Sequence, residues 1–394
     1  MSSSIPNIAI IGAGPGGLTL AAILQRNSIP FTVYDLDASP HGRNQGGTLD
    51  LHPQGGQLAL RAAGLWDEFV KYARPESDVM KVVTPAGKVL WDGNGPNARV
   101  VEAGKEYDHR PEIDREKLKK ILLEAVEGSR IKWGKKLLEV KEAGEGSYDL
   151  VFGDGETERG FDLVVGADGA WSKVRKVLSD EMPFYSGISG VEFWADNADE
   201  KHPFVSEFVG AGSMFSFDEG RAIQAQRLGS GTIRTYGNVR VPENFFKECG
   251  IDWEKKDQAR NEFVERYFGD CADVLKRLLM ESGDDLVLRT LYMLPVGFKW
   301  EEKRGVTLLG DAAHLMTPFA GVGVNAAMWD GLDLASGIVE SVKGGKPLDV
   351  VVKEYETEMF SRGEKFAQKT MRGLKGHFSA HGNGHFVERL KGGE

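Results

Sequence analysis

"NIAIIGAGPGGLTLAAILQRNS", residues 7–28, decides the fold. Residues 7–12 are a continuous apolar, β-branched run, the pattern of a strand buried on both faces in a parallel sheet. The chain then turns through glycines into an Ala/Leu helix. "PFTVYDLD" (30–37) is a second strand that ends at Asp35, which completes a βαβ unit. Gly12, Gly14 and Gly17 satisfy G-x-G-x-x-G. Gly12 permits the tight turn, Gly14 lets the backbone approach a pyrophosphate, and Gly17 lets helix and strand pack closely. The helix start offers free N–H groups and partial positive charge to phosphates. Asp35 lies about 20 residues on, where a carboxylate accepts ribose hydroxyls. The glycines alone are weak evidence; strand, helix, second strand and acid together predict a dinucleotide site. They leave NAD and FAD both open. Gly210-Ala211-Gly212 sits among strands and opens no helix, so a second nucleotide domain is not expected.

Along the rest of the chain the texture changes and then returns. Residues 43–73 read as a glycine-broken segment and an amphipathic helix. Residues 112–128 read as a helix with Asp114 as N-cap. Residues 161–179 read as an apolar strand, a turn and a basic helix. From 181 to 286 aromatic, glycine and polar residues alternate with a period near two, which predicts antiparallel strands covered on one face. The strand pair near 78–93 is expected to join them. Residues 346–372 form a further helix, and the glycine-rich tail from 373, with three of the eight histidines, reads as a frayed terminus. The fold class is therefore α/β: a Rossmann-like domain with an inserted, mainly antiparallel β-sheet domain and a C-terminal helix. The nucleotide domain takes 1–78, 105–180 and 287–345, the insert takes 79–104 and 181–286, and a bridging helix and tail take 346–394.

The chain has 394 residues, of which 41 % are hydrophobic, enough for more than one domain. No run of about 18 apolar residues predicts a membrane span. The first residues lack the basic segment of a secretory signal. The two cysteines, Cys249 and Cys271, have no metal or redox spacing and read as reduced thiols of a cytoplasmic protein. A net charge of −10 disfavours nucleic acid and anionic lipid as partners. A monomer acting on a small molecule, without a metal, is the expectation.

The stretch "LLGDAAHLMTPFAGVGVN" (308–325) ends a strand at Gly310-Asp311 and opens a second helix at Gly321 to Asn325. Asp311 either caps the short helix or holds a cofactor hydroxyl. The helix start either makes only a tight turn or stabilises negative charge on a reduced heterocycle.

"GAGPGG", "GADGAWSKVR" (166–175) and "GDAAHLMTPFAGVGVN" (310–325), in this order and spacing, resemble the class A, single-component FAD-dependent aromatic hydroxylases. The resemblance covers residues 5–345. With "GGTLDLH" (46–52) and "SKVRK" (172–176), the chain looks closest to the tetracycline-inactivating flavin monooxygenases. The resemblance implies that Gly12, Gly14 and Gly17 hold the pyrophosphate and Asp35 the adenosine ribose. Arg43 contacts flavin or the nicotinamide donor, and Asp50 touches the flavin side. Arg115 reaches the phosphates or ribityl chain, Asp168 serves cofactor and nicotinamide, and Asp311 binds the ribityl chain. Gly321, Val322, Gly323 and Val324 face the isoalloxazine edge, and Pro318 lines the reaction pocket. On the substrate sheet the matches are Trp194, Ser213 and Arg234, where tetracycline-binding members use glutamine, arginine and histidine. Asp35-Leu36 also departs from the family's Glu-Arg, which keeps the ribose acid and loses an adenine-stacking arginine. The bulky Trp194 and the cation Arg234 favour a planar phenolic or enolic, polyketide-like substrate over tetracycline itself. The implied activity is an NAD(P)H-consuming monooxygenase that inserts one atom of O2 through a flavin C4a-hydroperoxide. No side chain stands out as an essential acid or base, and His314 reads as structural. The competing readings are another flavin oxidoreductase, either oxidase or dehydrogenase, or a flavin-binding sensor without turnover.

Overall fold

The computed structural model describes residues 5–392 apart from 41, 43–45, 96, 99–101, 103 and 282–284. Its nucleotide-binding part is built on a five-stranded sheet in the order Val306–Leu308, Leu163–Gly166, Ile8–Ile11, Thr32–Tyr34, Ile131–Lys132. Every neighbouring pair in it is parallel. The central strands Ile8–Ile11 and Leu163–Gly166 are buried at each position, which is why they read as unbroken apolar runs. Helix Pro15–Arg26 follows the first strand, with proline in its opening turn where no backbone donor is needed. It packs against the helix Gly323–Gly344 through two glycines. A Cβ on Gly16 would meet the Ala327 carbonyl at 2.8 Å, and one on Gly331 would meet the Gly16 carbonyl at 2.7 Å.

A seven-stranded sheet runs Leu286–Met293, Phe184–Ala195, Ile233–Arg240, Arg221–Arg227, Ser213–Asp218, Met80–Val83, Val89–Asp92. All of its pairs are antiparallel except Ser213–Asp218 with Met80–Val83. The strand pair near 78–93 joins this sheet as expected, and the sheet also takes in Leu286–Met293, beyond the span ending at 286. Its alternation sorts the side chains. Val191, Phe193, Ile223, Ala225 and Ile233 face the helices Lys256–Phe268 and Asp273–Met280 and form a core with Phe263, Phe268, Leu275 and Leu279. Each fully buried Val, Ile, Leu or Phe side chain among these contributes roughly 1.5–3 kcal/mol relative to exposure. Glu192, Trp194, Gln226, Arg234 and Tyr236 take the opposite face.

Three local expectations change. The helix read at 112–128 spans Arg115–Glu124, because Glu112–Asp114 is a strand paired with Thr48–Asp50. Asp114 occupies the N-cap position but does not cap. Its carboxylate instead accepts from Arg74 Nη1 at 2.7 Å and from the Gly229 N–H at 3.1 Å. The tail is not frayed: Leu348–His377 continues past 372, and Gly382–Gly392 is a helix against the large sheet. Asn383 bonds both backbone groups of Phe217, at 2.9 and 2.7 Å, and the His377 ring stacks on Phe217 at 4.2 Å. Glycine at 382 permits this approach, since a Cβ there would lie 2.9 Å from the Phe217 Cβ. Cys249 and Cys271 are free thiols. Among the described residues no helix is long and apolar enough to cross a membrane.

Candidate active site

The glycine turn has one closed and one open side. Gly12 has φ +113°, and a Cβ on it would stand 2.2 Å from the Ala167 carbonyl oxygen. A Cβ on Gly17 would stand 2.2 Å from the Gly12 carbonyl. Gly14 is the reverse: nothing lies within 4 Å of the position its Cβ would take, and no side chain caps the helix there. Backbone N–H groups thus face open space at a helix start, the arrangement that receives a phosphate. Asp35 pins the turn, accepting from the Ala13 N–H at 2.6 Å and the Asp37 N–H at 2.8 Å. Each carboxylate oxygen retains a lone pair for a ribose hydroxyl.

Asp168 stands beside this turn, its own N–H 3.1 Å from the Gly12 Cβ position. It accepts from Ser172 Oγ at 2.6 Å and from the Lys173 N–H at 2.7 Å, and burial pushes its carboxyl up. Buried Arg175 ties this segment to the Asp311 segment, donating to the carbonyls of Ala170 at 2.7 Å and Ala312 at 3.0 Å.

Asp311 is exposed by surface area, yet the protein around it desolvates its carboxyl and pushes it up, against the opposing pull of His314 and Arg115. A carboxylate that is both enclosed and accessible lines an internal cavity. Half-buried Arg115 is in the same position, desolvated and drawn to Asp311. The loop at Gly46 and Gly47 joins this cavity to the polar face of the large sheet. The Cβ position of Gly46 is 3.3 Å from Arg115 Nε, and that of Gly47 is 3.1 Å from both Gln226 Oε1 and Tyr236 Oη.

The second helix start repeats the open geometry. Gly323 has nothing within 4 Å of its Cβ position, and Gly321, at φ +63°, has the Asp50 carboxylate 3.6 Å away. Val322 is buried, Val324 packs against the core, and Pro318 is exposed in the preceding turn. Asn325 clamps the turn: its Oδ1 accepts from the N–H groups of His52 and Gly56 at 2.8 and 3.2 Å, and its Nδ2 donates to the Asp50 carbonyl at 2.8 Å. His314 donates to Asp330 at 2.6 Å, fully buried, which supports a structural role. Asn325 and Asp330 were not legible as site supports, because their partners are remote in sequence. Arg43 lies outside the described residues.

On the face of the large sheet opposite its helices, Trp194, Arg234 and Ser213 lie in one cross-strand row. Trp194 is opposite Arg234, Arg234 opposite Gln226, and Gln226 opposite Ser213. Arg234 is not an exposed strand arginine. It is 2 % exposed, its guanidinium lies 3.6 Å over the Trp194 ring, and it pairs with Glu192 at 2.7 Å. Arg289 meets the other oxygen of Glu192 at 3.1 Å. The Trp194 indole N–H is buried without a hydrogen-bond partner. Burial beside Glu192 raises the Tyr236 phenol to about 12, with Arg234 opposing.

Two open helix starts, an acid at each strand end and an enclosed Asp311–Arg115 pair fit an extended diphosphate cofactor with a ribityl chain, so fold and site define an FAD-binding enzyme. The chain belongs to the FAD binding domain family, whose profile matches residues 6–370, and it is a FAD-dependent monooxygenase. Monooxygenase penA of Penicillium thymicola is 32 % identical, with 95 % of this chain and 96 % of that protein covered. Monooxygenase asqM of Emericella nidulans is 29 % identical, with 94 % and 95 % covered. Among solved structures, Klebsiella pneumoniae HpxO complexed with FAD and uric acid matches with a TM-score of 0.77 at 19 % identity, over 99 % of this chain and 92 % of that one. Tetracycline destructase Tet(55) matches with a TM-score of 0.72 at 17 % identity, over 99 % and 96 %. These two likenesses concern the fold.

If Asp311 holds the ribityl chain, Asp311→Ala weakens FAD binding by about 10- to 100-fold, the loss expected for one hydrogen bond to a charged group. Titration of apoprotein with FAD, read by flavin fluorescence, tests this; parent-like affinity refutes the assignment.

Proposed function

We propose that the protein inserts one oxygen atom from O2 into a planar phenolic or enolic, polyketide-like small molecule, with NAD(P)H as electron donor. The row Trp194–Arg234–Gln226–Ser213, with its unpartnered indole N–H, carries this reading. Bound FAD supplies electron storage and activation of O2. The chain holds and orients the reactants. Gly12, Gly14 and Gly17 with their helix start take the diphosphate, Asp35 the ribose, and Arg115 and Asp311 the ribityl side. Asp168 stands beside the diphosphate turn to serve cofactor and nicotinamide, and Asp50 and the Gly321–Val324 turn with Pro318 surround the ring end. The helix start at Gly323 favours negative charge on the ring edge nearest it.

Trp194 offers the substrate a flat face and its N–H a carbonyl or phenol oxygen to bond. Glu192 holds Arg234 against that ring. Two guanidiniums, Arg234 and Arg289, against the one carboxylate of Glu192 leave a net +1 on this face. That charge favours the phenolate or enolate, the electron-rich form that accepts oxygen. The segments 79–104 and 181–286, extended by the strand Leu286–Met293, then serve the substrate, and 1–78, 105–180 and 294–345 the cofactor. The relatives named monooxygenase and the HpxO complex with uric acid, a planar heterocycle, support the class of reaction and a flat ligand.

The test is anaerobic reduction of the FAD-loaded protein by NADPH and NADH, then aerobic turnover under 18O2 with planar phenols, quinolones and a tetracycline. Accelerated nicotinamide oxidation and one 18O atom in a panel compound are the expected result. Failure of both nicotinamides to reduce the flavin removes the NAD(P)H-dependent reading.

A further inference from the structure

Segment 48–56 carries a pair of titratable side chains, Asp50 at the ring end and His52, whose imidazole no step above uses. His52 Nε2 lies 2.9 Å from Asp50 Oδ2, with the two side chains 14 % and 26 % exposed. Both oxygens of Asp50 are 3.6 Å from the Cβ position of Gly321, at the flavin turn. On its other side His52 lines a groove of about 520 Å³, together with Arg110, Trp329, Glu358, Arg362 and Lys365. Asn325 fixes the His52 backbone through its N–H and the Asp50 backbone through its carbonyl, so the pair is held to the helix start as a unit.

We propose that His52 and Asp50 form a proton relay from the water of this groove to the flavin turn. The proposal rests on the monooxygenase reading, whose balance requires a proton: substrate–H + O2 + NAD(P)H + H+ gives substrate–OH + H2O + NAD(P)+. A site that must exclude water still has to receive that proton. The imidazole takes it from groove water on the nitrogen that Asp50 does not hold and releases Nε2–H to Asp50, its tautomer exchanging in the process.

The charged groups around the pair suit this path. Glu112 stands directly opposite Asp50 across the two-stranded ribbon. Burial and the Asp50 carboxylate push Glu112 up to about 8, against Thr48 and Arg74 and with Asp78. A carboxyl that keeps its proton at neutral pH therefore sits beside the relay. On the groove side Arg362 is neutralised by Asp330 and Asp333, each at 2.8 Å. Glu358 and the cations Arg110 and Lys365 line the same groove as His52.

The experiment uses the FAD-loaded full chain, photoreduced without nicotinamide and mixed with dissolved O2. Without substrate the balance is FADH− + O2 + H+ to FAD + H2O2, which draws on the same proton. His52→Ala is expected to slow this reoxidation at least tenfold, increasingly as pH rises, and imidazole added at millimolar concentration restores it. Asp50→Asn slows it without imidazole rescue. FAD affinity of the His52→Ala apoprotein stays within twofold of the parent. Parent-like reoxidation at every pH overturns the relay, and so does slowing that imidazole does not relieve or a tenfold loss of FAD affinity. If NADPH fails to reduce the parent while imidazole rescue is seen, the electron-donor reading falls and the relay stands.

Discussion

Gly12→Ala destabilises the protein with or without cofactor, whereas Gly14→Ala leaves the apoprotein intact and removes most of its FAD affinity. The two glycines are two residues apart, and their surroundings are opposite. Gly12 holds φ +113°, where an alanine is strained by about 1–3 kcal/mol. Its Cβ would also stand 2.2 Å from the Ala167 carbonyl and 2.7 Å from the carbonyl carbon, both backbone of the neighbouring segment. Neither atom can swing aside as a side chain would, so the total loss is expected to reach at least about 3 kcal/mol. Gly14 has φ −79° and ψ 175°, extended backbone that alanine adopts freely, and its Cβ position is empty. The apoprotein then gains up to about 1 kcal/mol from a stiffer unfolded chain. The added methyl occupies the space through which a diphosphate reaches the helix start, and affinity drops by about two orders of magnitude, the scale of a few kcal/mol of lost contact. Urea unfolding of both apoproteins and FAD titration of Gly14→Ala separate the effects. Parent-like FAD binding by Gly14→Ala means that the phosphates do not sit at this turn.

The cofactor end was legible because its rules are local. A buried strand, a glycine turn and a proline-started helix each announce themselves within about ten residues, and Asp35 follows from the length of one βαβ unit. The polar face of the large sheet was legible only by position. Trp194, Arg234 and Ser213 do share a row, but Glu192, which decides the charge of Arg234, reads in sequence like any polar residue of a half-wet strand. Gln226 and Tyr236 were missed for the same reason. Asp114 shows a local signal outbid by a tertiary one: the right residue type stood at the helix start, and Arg74 and the Gly229 N–H claimed its oxygens. The tail misled because glycine-rich sequence signals a loose end and a close approach equally, and only the contact of Gly382 with Phe217 separates the two. His314 read as structural in the sequence, yet its partner Asp330, and Arg362 which pairs with Asp330 in turn, lie on two later helices, 16 and 48 positions away, where no periodicity connects them.

That network gives the second large effect: Asp330→Ala is expected to cost about 3–5 kcal/mol, the range for removing one partner from a buried charge cluster. Asp330 is fully buried. Its Oδ2 accepts from the Gly310 N–H at 2.9 Å and from His314 at 2.6 Å, and its Oδ1 meets Arg362 at 2.8 Å. Alanine strands a backbone donor and an imidazole and leaves the Arg362 guanidinium with Asp333 alone, a far larger loss than that of an exposed pair such as Lys71–Glu68. The pH dependence follows from the two shifts. The Asp330 charge raises His314 above its ordinary value, more than offsetting burial. Stability from His314 is therefore full below about pH 6.5 and is lost as pH rises through its folded value. Asp330 is lowered despite its burial, by His314 and Arg362. Its contribution is present above about pH 4 and is lost as pH falls through its own folded value. The parent is thus most stable between these limits, and Asp330→Ala loses the alkaline limb that His314 supplies. Gly310 and His314 flank Asp311 at either end of its short helix, so the variant also loosens the carboxylate that faces the cavity, and FAD affinity falls with stability. Urea midpoints at pH 5, 7 and 9 for parent, Asp330→Asn and Asp330→Ala measure this. Asparagine keeps an acceptor for Gly310 but no charge, so it is expected between the other two. Equal midpoints for all three at every pH would mean that the cluster adds no net stability and serves only to place Asp311.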